Sequence, residues 1–335
     1  MAKKENPDPT HNLVLFNELD SAKETKEFEP EPLQYVDQED KIHMIYKLVP
    51  FGGNYLYSLI IMNESTAPIT EVKIRIILPA FLELCRSSPP TLTIDSLESN
   101  EGSNIEGTKE KQVKMEFELI NANSQKQINL YLCPKLLEKK GKIRSFITFV
   151  NNADFIRAID TDSINIELDP FNIERKIIPQ SEIKRFLEKP WIKKANKSIG
   201  IGFDGIFDDD FFFEQIVKII QVSNLQLILK NQSNKISWFC GTDLVSGNDI
   251  LVIGQIINGK IEWLAASLNP HLLISVLTNF VNSFKREMML QGLISSEDQI
   301  YSLECKYCGN TLPYFPERGK TIECNKCNYE QIAWN

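Results

Sequence analysis

Between residues 42 and 168 the apolar positions recur with period two. Val113-Lys-Met115-Glu-Phe117-Glu-Leu119 alternates without a break, as a strand does with one face on a core and one in water. Val72-Lys-Ile74-Arg-Ile76 and Ile128-Asn-Leu130-Tyr-Leu132 repeat the pattern, and similar segments lie at 42–49, 55–62, 80–85, 143–150 and 164–168. Turn formers separate them: Gly52-Gly53-Asn54, Pro89-Pro90, the Gly/Ser/Asn stretch 99–107 and Lys139-Lys140-Gly141. About seven to nine strands at this spacing, with no helical stretch, predict an antiparallel immunoglobulin-like β-sandwich over residues 39–168. Cys85 and Cys133 fall in apolar strands and read as core filler.

The period then changes. Leu272, Leu273, Val276, Leu277, Phe280, Val281 and Phe284 share one face of a helix that opens at Asn269-Pro270, a cap followed by proline in the first turn. A second helix over about 210–222 turns Ile216, Ile219 and Ile220 inward. Asp208, Asp209 and Asp210 stand at its N-terminus; they suit magnesium or capping, and without a Gly-rich phosphate loop capping is favoured. Strands are expected at 225–230, 235–240, 249–257 and 260–267, the last two joined by a tight primed turn at Asn258-Gly259. Trp238 and Trp263 lie in these strands and read as core. Residues 169–291 are thus an α+β layer, a sheet covered by helices.

Composition adds an asymmetry. The 335 residues are 42% hydrophobic and carry a net charge of −8, with no apolar run of membrane-spanning length. Residues 1–40 hold eleven acidic and four basic side chains, so most of the acidity belongs to this end. Residues 1–38 are charged, proline-rich and poor in apolar groups, which predicts a disordered acidic tail; within it His11 to Leu19 is a candidate docking segment. The opening MAKKENPDPT has no apolar signal region, so a reducing cytoplasmic setting is expected.

The clearest chemistry is C-terminal. Cys305-Lys-Tyr-Cys308-Gly and Cys324-Asn-Lys-Cys327-Asn are separated by fifteen residues. Each two-residue gap lets a tight turn aim both thiolates at one ion, and the loop between can return as a short hairpin to complete a tetrahedron. Gly309 and Asn328 suit the left-handed positions such knuckles need. Cys305, Cys308, Cys324 and Cys327 are therefore expected to hold one structural zinc ion, with iron the alternative and no open position for water. Residues 300–335 carry four basic and four acidic side chains, and a tetrathiolate zinc adds about −2, so this four-cysteine ribbon offers a phosphate backbone little and nucleic-acid binding is disfavoured.

Catalytic chemistry is hard to assemble. His11, His43 and His271 are scattered, no nucleotide loop, nucleophile elbow or HExxH occurs, and Cys240 sits in an apolar strand with no histidine near it in sequence. No catalytic residue, small-molecule substrate or further cofactor is expected. Trp191 stands out instead. It follows Pro190, and Lys193, Lys194 and Lys197 come close behind. It is either folded into the core or an aromatic plate among cations, suited to a peptide with an apolar anchor and acidic flanks.

A sandwich followed by this α+β unit resembles the appendage (ear) of vesicle-coat adaptors, namely the large adaptins and the gamma subunit of coatomer. The resemblance rests on Ser246-Gly-Asn-Asp-Ile-Leu-Val252 with its Asn-Gly hairpin, the proline-started last helix, and the helix at 210–222 leading into Leu225-Gln-Leu-Ile-Leu229. It implies that residues 39–168 are the appendage's sandwich and residues 169–291 its platform, whose tryptophan before the first strand holds a short peptide. Trp191, in Phe186-Leu-Glu-Lys-Pro-Trp191-Ile ahead of a strand expected at 197–203, occupies that place. With Lys193 and Lys194 it would bind accessory proteins carrying short acidic-aromatic motifs, in vesicle-mediated transport, with membrane association only through those partners. Asp169-Pro-Phe171, a tripeptide that appendages bind in partners, falls here at the domain junction and reads as a hinge contact. The chain departs from the family by lacking the long helical trunk and by adding, after a linker at 292–302, the zinc ribbon at 303–335. Two readings compete: a zinc-ribbon transcription- or RNA-associated factor, and a scaffold with no peptide groove, in which Trp191 would be buried.

Overall fold

A computed structural model describes residues 39–90, 93–96, 110–137, 139–168, 170–202 and 208–334; the expected tail at 1–38, with its docking segment, lies outside these residues. The first strands are β1 (Ile42–Phe51), β2 (Asn54–Asn63), β3 (Ile69–Leu78), β4 (Leu82–Ser88), β5 (Thr93–Ser96), β6 (Lys111–Ile120), β7 (Ser124–Pro134), β8 (Lys140–Val150), β9 (Ile156–Asp160) and β10 (Ile164–Glu167). They form two antiparallel sheets. One has the order β1-β2-β7-β4; the other runs β10-β8-β3-β6-β5, with β9 also on β8. The alternation in the sequence sets which side chains meet: Ile74 faces Met115, Ile76 faces Val113, and Tyr57 faces Leu130. These inward residues from both sheets make one buried core.

The second unit contains β11 (Ile173–Arg175), α1 (Gln180–Glu188), β12 (Lys193–Ile201), α2 (Asp209–Val222), β13 (Gln226–Asn231), β14 (Ile236–Asp243), β15 (Asp249–Ile257), β16 (Lys260–Ser267) and α3 (Pro270–Leu290). The sheet runs β11-β14-β15-β16-β12, with β13 also on β14, and every pairing is antiparallel. Helices cover both of its faces. Phe239, Val252, Trp263 and Ala265 point toward α2 and α3, where Trp263 meets Phe280 and Phe284. Cys240, Leu251 and Ala266 point the other way, onto Ile183, Phe186 and Leu187 of α1. The Asn258-Gly259 turn has φ of +52° and +70°, as a primed hairpin requires. Asp208 caps α2 by accepting from the backbone of Asp210 and Phe211, and Asn269 caps α3 by accepting from His271.

Several expectations need correcting. Trp263 is fully buried, whereas Trp238 is only half-buried. Cys85 is exposed and Cys133 half-buried, because a bulge in β4 turns this part of the edge out of the core. Residues 300–302 are not linker: they form β17 (Ile300–Ser302), which extends the sheet by pairing with β12 at Ile199–Ile201. The two units also share a residue. Ile274 of α3 is buried in the sandwich core, while Tyr55 meets His271 at 3.1 Å and Asn282 donates to the Lys135 carbonyl at 2.7 Å. Sandwich, sheet and C-terminal module belong to one compact unit.

Candidate metal centre and the Trp191 surface

From β17 the chain runs directly into the first cysteine knuckle. Leu303 donates to the Ser198 carbonyl at 2.9 Å, and Glu304 bridges to Thr311. The knuckles are built alike. Gly309 N–H donates to the Cys305 carbonyl at 2.8 Å and Asn328 N–H to the Cys324 carbonyl at 2.9 Å, with φ of +73° and +55°. β18 (Thr321–Glu323) and β19 (Glu330–Ile332) pair as the hairpin that carries the second knuckle.

All four Sγ atoms lie within 4.8 Å of one another, and Cys305–Cys327 and Cys308–Cys324 are each 3.6 Å apart. Four sulfurs about 2.3 Å from a tetrahedral zinc would stand about 3.8 Å apart, so the donor set and its spacing fit such an ion. Among the described residues this is the group of Cys, His, Asp and Glu side chains arranged to hold a metal. The aspartate cluster is engaged otherwise: Asp208 is a cap, and hydrogen bonds from Lys235 and Gln232 hold the Asp210 carboxyl below its usual range.

The module is seated on the sheet by aromatic rings. Tyr301, Phe315 and Trp334 pack together, the last two stacked at 5.2 Å, over positions where β12 and its continuation carry only hydrogen. A Cβ on Gly200 would fall on the Phe315 ring, and one on Gly202 on Tyr301 and Trp334. Lys260 donates to the Leu312 carbonyl at 3.0 Å and Asn196 to Thr311 Oγ1 at 2.7 Å. Gly200→Ala is therefore expected to loosen the module, costing about 1–3 kcal/mol through overpacking; a thermal melt and the near-UV signal of Trp334 would read it.

The helix α1, which covers this same face of the sheet, ends in a turn in which Ile192 N–H donates to the Lys189 carbonyl at 3.1 Å. Trp191 projects from this turn with 56% of its surface exposed. Lys189, Lys193 and Lys194 are exposed beside it in sequence; Lys193 and Lys194 open β12, which starts four residues earlier than expected. Lys197 does not join them. It is buried and turns into the junction of the three modules, where it pairs with Glu304 at 3.4 Å. No sequence spacing connects Lys197, Glu304, Asn54, Cys85 and Cys133, and only the fold brings them together. Cys240 is a buried thiol that burial pushes up to about 11. Phe171 packs against the edge of the α2–α3 core, at the junction.

No family model and no curated protein matches this chain. Solved structures resemble it only weakly. AvmM, which catalyses macrocyclization in alchivemycin A biosynthesis, is 10% identical with a TM-score of 0.27, over 39% of this chain and 91% of that one. An exo-β-N-acetylglucosaminidase from Vibrio harveyi is 11% identical with a TM-score of 0.26, over 68% of this chain and 39% of that one. The Bacillus subtilis sporulation control protein Spo0M is 7% identical with a TM-score of 0.20, over 65% and 74%. Likeness at this level carries no argument about fold or activity.

Proposed function

We propose that this chain is a non-enzymatic protein–protein interaction module of the adaptor-appendage kind. An immunoglobulin-like sandwich supports a platform that takes up short acidic-aromatic peptides, and a ribbon with one structural zinc ion forms a rigid end-piece. Trafficking is the setting in which such a module works. The observation that carries this reading is the exposure of Trp191 at 56%, on a turn flanked by lysines. An indole buries about 150–250 Å² when it is packed, so leaving one in water forgoes a large hydrophobic gain. Tryptophan is also the side chain that most often anchors an interface, and nearby ammonium groups favour an acidic ligand.

Trp191→Ala removes the anchor and little of the core. Full-length wild type and variant, used as bait in a cell lysate, are expected to share most captured proteins. Those lost with the variant should contain short segments with an aromatic residue among Asp and Glu. The melting temperature should hardly move, since exposed substitutions are worth about 0.5 kcal/mol or less. Identical captured sets from the two baits would remove the reading.

A further inference from the structure

Cys133 lies against a lysine that is buried where the three modules meet, and Cys85 is on the strand beside it. Only 7% of the Lys197 side chain is exposed. Its Nζ donates to Asn54 Oδ1 at 2.5 Å, to Glu304 Oε1 at 3.4 Å and to Cys133 Sγ at 3.5 Å. Asn54 Nδ2 in turn donates to Glu304 Oε2 at 3.4 Å. Cys85 is on the neighbouring strand. Glu83 pairs with Cys133 and Leu84 with Leu132, but Arg86 then faces Tyr131, so Cys85 is the extra residue of a bulge. The bulge sets Cys85 on the strand next to Cys133, near enough for each sulfur to perturb the other's proton affinity, and both cysteines are free. Cys85 also lines a cleft of about 340 Å³ between the sandwich and the C-terminal module, walled by Arg86, Tyr131, Glu304 and Gly309.

The electrostatics separate the two sulfurs. The neighbouring Cys85 thiol, then the Lys197 ammonium, pull Cys133 down to about 6 against its burial and the Glu304 carboxylate. The same interaction with Cys133 raises the Cys85 thiol. A thiolate with an adjacent cation is the nucleophilic form of cysteine, and a protonated thiol on the neighbouring strand is placed to resolve its oxidised product.

We propose that Cys133 and Cys85 form a peroxide-responsive dithiol, with Cys133 the reacting sulfur, Cys85 the resolving one and Lys197 the residue that positions the thiolate. The Cys133 thiolate attacks one peroxide oxygen; the O–O bond breaks, Cys133 becomes a sulfenic acid, and the departing hydroxide takes a proton to form water. The Cys85 sulfur then attacks the Cys133 sulfur, forming the S–S bond as the S–O bond breaks, and its proton leaves with the hydroxyl as a second water. Two thiols lose two electrons and hydrogen peroxide gains them. Oxidation removes a negative charge from beside Lys197, at the seam that seats the C-terminal module.

The test uses the full-length, metal-loaded protein. In one arm, equimolar hydrogen peroxide is followed by alkylation and peptide mass mapping, with zinc release followed by a chromogenic chelator. In the other, Cys133 and Cys85 of the wild type compete for limiting iodoacetamide at pH 7. A Cys85–Cys133 disulfide should form before zinc is released, and Cys133 should alkylate about tenfold faster than the more exposed Cys85. Cys85→Ser should stop the reaction at a dimedone-trappable sulfenic acid on Cys133, and Lys197→Met should slow Cys133 by about tenfold. Oxidation of the four ribbon cysteines with Cys85 and Cys133 still alkylatable, or equal alkylation of the two, overturns the proposal. The wild-type competition decides even where Lys197→Met does not fold.

Discussion

Stripping the metal from the cysteine knuckles is expected to unfold residues 303–334 and leave the rest of the chain folded. The module's own core amounts to Leu303, Leu312 and Ile322 with two of the cysteines, and its hairpin strands are three residues each. So little apolar surface does not offset the conformational entropy of some thirty residues, at about 1–2 kcal/mol each for the backbone alone. Structural zinc supplies roughly 10–16 kcal/mol in comparable small modules, most of what holds such a fold. The knuckle hydrogen bonds from Gly309 and Asn328 would be the first to open. The β12–β17 pairing should persist longer, since Ile300 is anchored in the α2–α3 core. Hydrogen exchange before and after chelation reads this directly, and Cys324→Ser should reproduce it. Full protection of Gly309 and Asn328 in metal-free protein would show that aromatic docking holds the module.

Ile274→Ala is expected to have the second largest effect, and on cooperativity as well as stability. Ile274 lies in the second turn of the long α3 helix of the α+β unit yet is fully buried among the sandwich residues. Truncating it leaves a cavity at the seam, which costs about 2–5 kcal/mol for a buried aliphatic. Polar links also cross the junction, among them Tyr55 to His271, Asn282 to the Lys135 carbonyl and Lys197 to Asn54, the neutral ones worth about 1 kcal/mol each. Wild type should therefore melt with sandwich and α+β unit together, and the variant with the two transitions pulled apart. Calorimetry distinguishes them; one transition, merely shifted downward, would mean that the modules are joined mainly elsewhere.

What was legible in the sequence followed from strict periodicity. The strand alternation around Ile74, Val113 and Leu130 fixed which residues face the sandwich core, and the 3.6-residue pattern from Leu272 to Phe284 fixed the buried face of α3. The Asn258-Gly259 turn and the knuckle positions were readable because only a few residue types tolerate their backbone conformations. The helix α1 was missed although Ile183, Phe186 and Leu187 carry the i, i+3, i+4 signal; its nine residues are too few for the pattern to stand out. β17 was missed because three residues are pinned by a neighbouring strand rather than by any preference of their own. Lys197 shows the limit most plainly. A lysine shortly after a lone tryptophan reads as a surface cation, and only the approach of Asn54, Cys133 and Glu304 from distant parts of the chain buries it. The four-cysteine cluster was legible because its spacing is local and metal geometry is stringent.

Whether the Trp191 surface takes up acidic-aromatic peptides can be read by displaying random peptides to the protein, with Trp191→Ala as the counter-selecting bait. Enriched peptides should carry one aromatic residue among Asp and Glu, with binding weakened at least about tenfold by Trp191→Ala and less by reversing the charges of Lys193 and Lys194. Peptides without acidic residues, or acidic-aromatic peptides that bind the variant as well as the wild type, would rule out a peptide site at Trp191.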